Sequence, residues 1–151
     1  MQSTKQAIFK LGDESYGLDI MNINSIEKPV PIEKVANSPA NMKGMIWLRG
    51  DKLPVYSLRK KFGLEEKQAD EDTRFMVTNS NGITIAYEVD KMEEITAFEG
   101  EDILDVPPLV KNKDTSYMKA VIKSNDRLFI LMEIDGILSE DEQSRIKAML
   151  V

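Results

Sequence analysis

The sequence predicts an all-β fold of two small, similar barrel lobes with short helices and a C-terminal helix. Three observations carry this: paired runs of period-two apolar alternation, an internal echo between two strand pairs, and a capped helix signal near the end of the chain. Ala7, Phe9 and Leu11 alternate, and beyond the polar turn Asp13-Glu14-Ser15 the pattern resumes at Tyr16, Leu18 and Ile20, the signature of a β-hairpin. A second hairpin runs from Arg74 through the turn Asn79-Ser80-Asn81-Gly82 into Ile83, Ile85, Tyr87 and Val89. Between them, Lys43 to Arg49 and Leu53 to Leu58 read as strands joined around Gly50-Asp51. Pro54 near the start of the second strand lacks only an N–H that this position can spare. Residues 117–134 read alike.

The echo sets Met42-Lys43-Gly44-Met45-Ile46 and Asp51-Lys52-Leu53 against Met118-Lys119-Ala120-Val121-Ile122 and Asp126-Arg127-Leu128, the second copy reading one residue shorter. Each half then holds a hairpin, an irregular excursion, a further strand pair and a short helical segment, which predicts duplication. About five strands per half close most economically into small barrels, which leave few sheet edges unpaired. Residues 1–151 are expected to form one domain, its lobes divided near 63–73 and its terminal segments open to sharing between them. That stretch, Gly63 to Thr73, is charged, lacks alternation and follows a helical turn at Ser57 to Phe62. Near the C-terminus Ser139 caps a helix, Glu142 completes a capping box, Arg145 and Lys147 suit the negative end of the dipole, and Ile146, Met149 and Leu150 form a docking face.

Composition narrows function. The chain has no Cys and no His, which excludes thiolate nucleophiles, CxxC pairs, Cys/His zinc sites and imidazole-based triads. A net charge of -6 disfavours nonspecific attraction to phosphate backbones or anionic lipid. No apolar run approaches the roughly 18 residues of a membrane span, and the first residues lack the regions of a signal peptide, so a cytoplasmic location is expected. No GxxxxGK[ST] run occurs. Neither a cofactor nor a metal is expected.

Several constellations invite sharper readings. Glu65, Glu66, Asp70, Glu71 and Asp72, and again Glu99, Glu101, Asp102 and Asp105, supply carboxylates for a cation or for acid–base chemistry; a solvated loop is the plainer reading of both. Arg49-Gly50-Asp51 spells an adhesion tripeptide, but Arg49 at a strand end, beside a glycine, better suits bidentate carboxylate recognition or an internal ion pair. Arg59-Lys60-Lys61 beside Phe62 suggests a nucleic-acid surface on a small barrel, against which stand the scarcity of aromatics and the acidic balance; a solvated helix face explains it better. Among nine methionines, Met21, Met42, Met45, Met92 and Met118 lie near segment ends, where they fill core gaps or form adaptable contact surfaces.

Phe9-Lys10-Leu11-Gly12-Asp13-Glu14-Ser15-Tyr16-Gly17-Leu18-Asp19-Ile20, Lys43-Gly44-Met45-Ile46-Trp47-Leu48-Arg49-Gly50 and Leu53-Pro54-Val55-Tyr56-Ser57-Leu58-Arg59 resemble, in order and spacing, the CheW family of bacterial chemotaxis coupling proteins. The likeness continues through Val89-Asp90, Tyr117-Met118, Leu128 to Asp135 and Ile137-Leu138-Ser139, nearly the whole chain. It implies two five-stranded SH3-like barrels and a non-enzymatic adaptor, recruited to membrane-associated receptor arrays. Such an adaptor bridges chemoreceptor cytoplasmic tips to the regulatory domain of a histidine kinase. The receptor's helical hairpin is then expected in an apolar groove carried over to Ile23, Ile26 and Ile95, with Arg49 near the lobe junction. The kinase is expected at Leu109 and Met92. The alternatives from the residues alone are a nucleic-acid-binding barrel and a carboxylate- or metal-dependent enzyme.

Four positions depart from the family pattern. Ser57 stands for a usual Asp, Ala120 for a usual Gly, Glu88 interrupts a usually apolar run, and Trp47 replaces a commonly polar residue. Ala120 is tolerated if its φ is negative and Glu88 if its face is exposed. Such changes bear on partner choice more than on architecture.

Overall fold

The computed structural model describes residues 4–105 and 116–150. In chain order the strands are β1 (Thr4–Leu11), β2 (Glu14–Asp19), β3 (Ile23–Glu27), β4 (Met42–Leu48), β5 (Asp51–Ser57), β6 (Arg74–Ser80), β7 (Ile83–Val89), β8 (Lys91–Phe98), β9 (Ile103–Asp105), β10 (Met118–Ser124) and β11 (Arg127–Met132). A short helix α1 (Leu58–Lys61) follows β5, and α2 (Glu140–Met149) lies near the C-terminus. Two sheets result, ordered β8-β1-β2-β11-β10-β9 and β3-β6-β7-β5-β4. One carries the expected five strands. The other gains a sixth, β9, where its counterpart has only the isolated bridge Glu33↔Met45.

The sheets are not the two halves of the sequence. Each combines the hairpin of one half with the excursion and strand pair of the other, so the chain changes sheet at Ile20–Asn22 and again at Asp90. The junction expected at 63–73 instead joins β5 and α1 to β6 within one sheet. Within it Lys67 pairs with Asp70 at 2.7 Å and Asp70 caps the turn at Asp72 and Thr73, while Leu64 packs against the shared core.

The duplication holds register for register. Met42↔Tyr56 closes one strand pair and Met118↔Met132 the other, with the same span, the same bulge after the first residue and a two-residue turn of positive φ at Arg49-Gly50 and at Asn125-Asp126. The second copy is therefore not shorter: Leu53 is matched by Phe129, not Leu128, since Ile46 pairs with the first and Ile122 with the second. The parallel pairing follows suit. Val55 faces Ala86, and Leu131 faces Gly17, where a Cβ would come within 2.9 Å of the larger Leu131 side chain.

Strands β1, β6 and β7 are buried on both faces, because each borders its own sheet's interior and a core shared between the sheets. Ile8 joins Phe98, Ile122 and Phe129 on one side, while neighbouring Phe9 joins the shared cluster with Tyr56, Met76 and Tyr87. Both sheets bury their mutual face, so neither is expected to be stable alone. Helix α2 seals this core through Ile146. Its capping box forms as expected, and Glu142 also accepts from the buried Tyr56 hydroxyl at 2.7 Å. Burial, and then that carboxylate, raise the Tyr56 pKa, keeping it a donor.

Gly44 sits in the β4 bulge at φ 149°, where a Cβ would collide with the Glu33 backbone that exchanges two 2.8 Å hydrogen bonds with Met45. Gly44→Ala is expected to lower stability by about 1–3 kcal/mol in urea denaturation. The equivalent Ala120 is fully buried and is not among the positive-φ residues, which is why a methyl fits there.

Candidate functional site

Strands β3 and β8 are the edges of their sheets and occupy equivalent places. Ile23 pairs with Thr78 and Met92 with Phe9, each partner two residues before the end of its strand. Ile26 pairs with Met76 and Ile95 with Ala7, each partner four before it. A bulge separates the two positions on both edges. Four sequence-predicted site residues are thus two duplicated pairs. Ile23 and Met92 pack partly buried against the shared core, whereas Ile26 and Ile95 remain 43% and 63% exposed.

A bulge rotates the strand's facing, which is how one apolar residue per edge turns inward and the next turns out. Met21, in the 3-10 turn Ile20–Asn22 that leads into β3, is 85% exposed. That turn lies against β1, whose other edge pairs with β8.

Arg49 joins the β3 strip through Glu27, the residue after Ile26, reaching its two carboxylate oxygens at 3.0 and 2.9 Å. The Ser25 hydroxyl, and with it the Arg49 guanidinium, hold the Glu27 carboxyl below its usual range despite some desolvation. The Arg49 side chain stays 69% exposed, so the internal ion pair orients it without using it up. Sequence reasoning missed Glu27: no spacing rule links it to Arg49, 22 residues away. Leu109 lies outside the described residues.

The basic run is not one solvated face. Arg59 is half-buried and grips Asp90 with two hydrogen bonds of 2.8 and 3.0 Å; Lys61 is half-buried near Glu142, and only Lys60 is exposed. Asp90 also accepts from the Gly12 N–H at 2.7 Å. Arg59 and Asp90 thus tie α1 to the point where the chain changes sheet and to the β1–β2 turn. Burial pushes the Asp90 carboxyl up, but Arg59 and the Gly12 N–H outweigh it and leave the pKa lowered. A depressed folded-state pKa stabilises above the ordinary carboxylate range, and that contribution is lost as pH falls through the lowered value. Asp90→Asn is therefore expected to cost about 2 kcal/mol at pH 7, with the gap to wild type closing in urea titrations as pH falls below the ordinary carboxylate range.

The departures Ser57 and Glu88 are cross-strand partners on β5 and β7. Glu88 is buried, contrary to the expected exposed face, and is kept there by Lys43 at 2.9 Å; Lys43 also lies 3.5 Å from Glu66, which accepts from the Ser57 hydroxyl at 2.8 Å. Ser57 additionally caps α1 through the Lys60 N–H. Trp47 is exposed on β4, with the Lys52 ammonium 5.6 Å from its ring centre.

Among the described residues no group of three acidic side chains is placed to hold a metal ion, and no helix is long and apolar enough to cross a membrane.

The CheW-like domain family model matches residues 6–142. The chain is 35% identical to the chemotaxis protein CheW of Helicobacter pylori over 134 residues, 88% of this chain and 80% of that one. With the chemotaxis protein CheW of Klebsiella aerogenes it shares 30% identity over 139 residues, 92% and 84% of the two chains. The crystal structure of a CheW scaffolding protein from Thermoanaerobacter tengcongensis superposes with a TM-score of 0.83 at 28% identity, covering 93% of this chain and 96% of that one. These matches make the two sheets the SH3-like lobes of a known non-enzymatic scaffold fold, and the chain belongs to the CheW-like domain family.

Proposed function

We propose that this protein couples chemoreceptor cytoplasmic tips to the regulatory domain of a histidine kinase, acting in the cytoplasm at membrane-associated receptor arrays. The observation that carries this reading is the pair of duplicated apolar strips on β3 and β8, in which Ile23 and Met92 are partly buried and Ile26 and Ile95 are exposed at the sheet edges. An apolar helix face laid on such strips removes both from water, and Arg49 supplies a cation for a receptor carboxylate at the rim. The equivalence of Met92 with Ile23 supports placing Met92 with the receptor-facing residues; its position gives less support to a kinase contact. The kinase contact is assigned to Leu109.

Isothermal titration with a receptor cytoplasmic fragment, and separately with the kinase regulatory domain of the same organism, tests the proposal. Saturable binding to both is expected. Binding to one alone indicates a specialised branch, and binding to neither, by protein shown to be folded, overturns the coupling role.

A further inference from the structure

Two adjoining clefts, neither lined by residues of the β3 and β8 strips, share Val35, and the first of them lies at the C-terminal end of α2. The first, about 370 Å³, is lined by Val35, Met45, Met149 and Leu150, with Lys52 at its rim. Trp47, two residues beyond Met45 on β4 and stacked near Lys52, extends the apolar surface outward. The second, about 510 Å³, continues past Val35 to Lys34, Lys43 and Lys60, opposed by one carboxylate, Glu66.

That carboxylate is already engaged by Lys43 and by the Ser57 hydroxyl. Among the described residues the Lys60 ammonium reaches only the Ala40 carbonyl, at 3.4 Å, and Lys34 has no ion pair. Arg145 of α2 donates to the Asn37 carbonyl of the same loop at 3.2 Å while holding Asp141 loosely at 3.9 Å. In a chain of net charge -6, the loop at 34–40 is thus ringed by cations next to an apolar cleft. Lys52 is partly offset by Glu33 at 3.8 Å, which places the positive character on the Lys34 and Lys60 side.

We infer that this bipartite cleft docks a short acidic segment of a partner protein, one or two apolar side chains filling the Met45–Met149 half and adjacent carboxylates meeting Lys34 and Lys60. Charge complementarity fixes the occupant: the apolar half alone would accept any hydrophobic side chain, whereas the unneutralised lysines across Val35 select acidic flanks and repel basic ones. Because several exposed charges act together, affinity falls as salt rises.

The test is a ¹H–¹⁵N NMR titration of the full chain with a synthetic twelve-residue peptide carrying a Leu-Phe pair followed by three Glu, and with the same peptide bearing Gln for Glu. The acidic peptide is expected to shift resonances of Val35, Met45, Met149 and Leu150, and to bind about tenfold more tightly than its Gln counterpart. That preference is expected to vanish in the double variant Lys34→Glu, Lys60→Glu, two surface changes that leave the fold intact. Equal binding of the two peptides, shifts confined to other surfaces, or none at about 2 mM peptide overturns the inference. So do concentration-dependent shifts of these residues without peptide, which assign the cleft to a second copy of the chain. None of these outcomes bears on β3 and β8, so the coupling reading stands or falls separately.

Discussion

Lys43→Met is expected to destabilise the protein by about 2–4 kcal/mol, because it strands the buried Glu88 carboxylate without its partner. The methionine keeps most of the lysine stem, so packing is nearly preserved and the loss reports the charge. Glu88→Leu alone is expected to cost less, since the freed ammonium is partly exposed and keeps Glu66 within reach. The double variant Lys43→Met, Glu88→Leu is expected to recover most of the loss, the pattern seen when a buried ion pair is replaced by apolar residues of similar size. Urea denaturation of the four proteins closes the cycle. Additive single effects would show that Lys43 and Glu88 act independently and that the close contact contributes nothing of its own.

This network explains why two departures from the family pattern coexist. Ser57 and Glu88 look unrelated in a sequence read along one line, 31 positions apart. Parallel pairing of β5 with β7 makes them neighbours, and Lys43 and Glu66 then link a serine to a carboxylate one strand away. Parallel strand pairing is the least visible relation in a sequence, since no turn announces it.

The same distinction separates what was legible from what was not. Both hairpins, the β4–β5 and β10–β11 strand pairs and the capped α2 are local, so alternation, turn residues and the Ser139–Glu142 box reveal them directly. Which hairpin joins which excursion is decided instead by pairing between β3 and β6 and between β1 and β8, and a charged connection at 63–73 imitates a lobe boundary better than the short crossings at 20–22 and 90 do. Ile23, Ile26 and Ile95 could be carried over by motif order. The equivalence of Met92 with Ile23 could not, because it needs the register of two edge strands and their bulges. Met21 stood out only as one of many methionines until its exposure set it apart.

Placing a carboxylate at Ile26 or at Ile95 is expected to weaken binding of a receptor cytoplasmic fragment by about a hundredfold for each, with thermal stability within about 0.5 kcal/mol of wild type. Both side chains are exposed at sheet edges, so the free protein loses little when either changes, whereas an apolar partner face would have to bury an unpaired charge. Arg49→Ala is expected to act more weakly, about fivefold to tenfold, because the guanidinium is exposed and half committed to Glu27. The duplicated geometry adds a sharper requirement. If one continuous partner surface covers both strips, Ile26→Glu and Ile95→Glu affect the same binding event, and neither is expected to disturb the proposed binding of the kinase. Loss of receptor binding from one variant only would reduce the site to a single strip and leave the other edge without a role in coupling. Lowered melting temperature with unchanged binding would make these side chains part of the fold, even though they face water in the free chain.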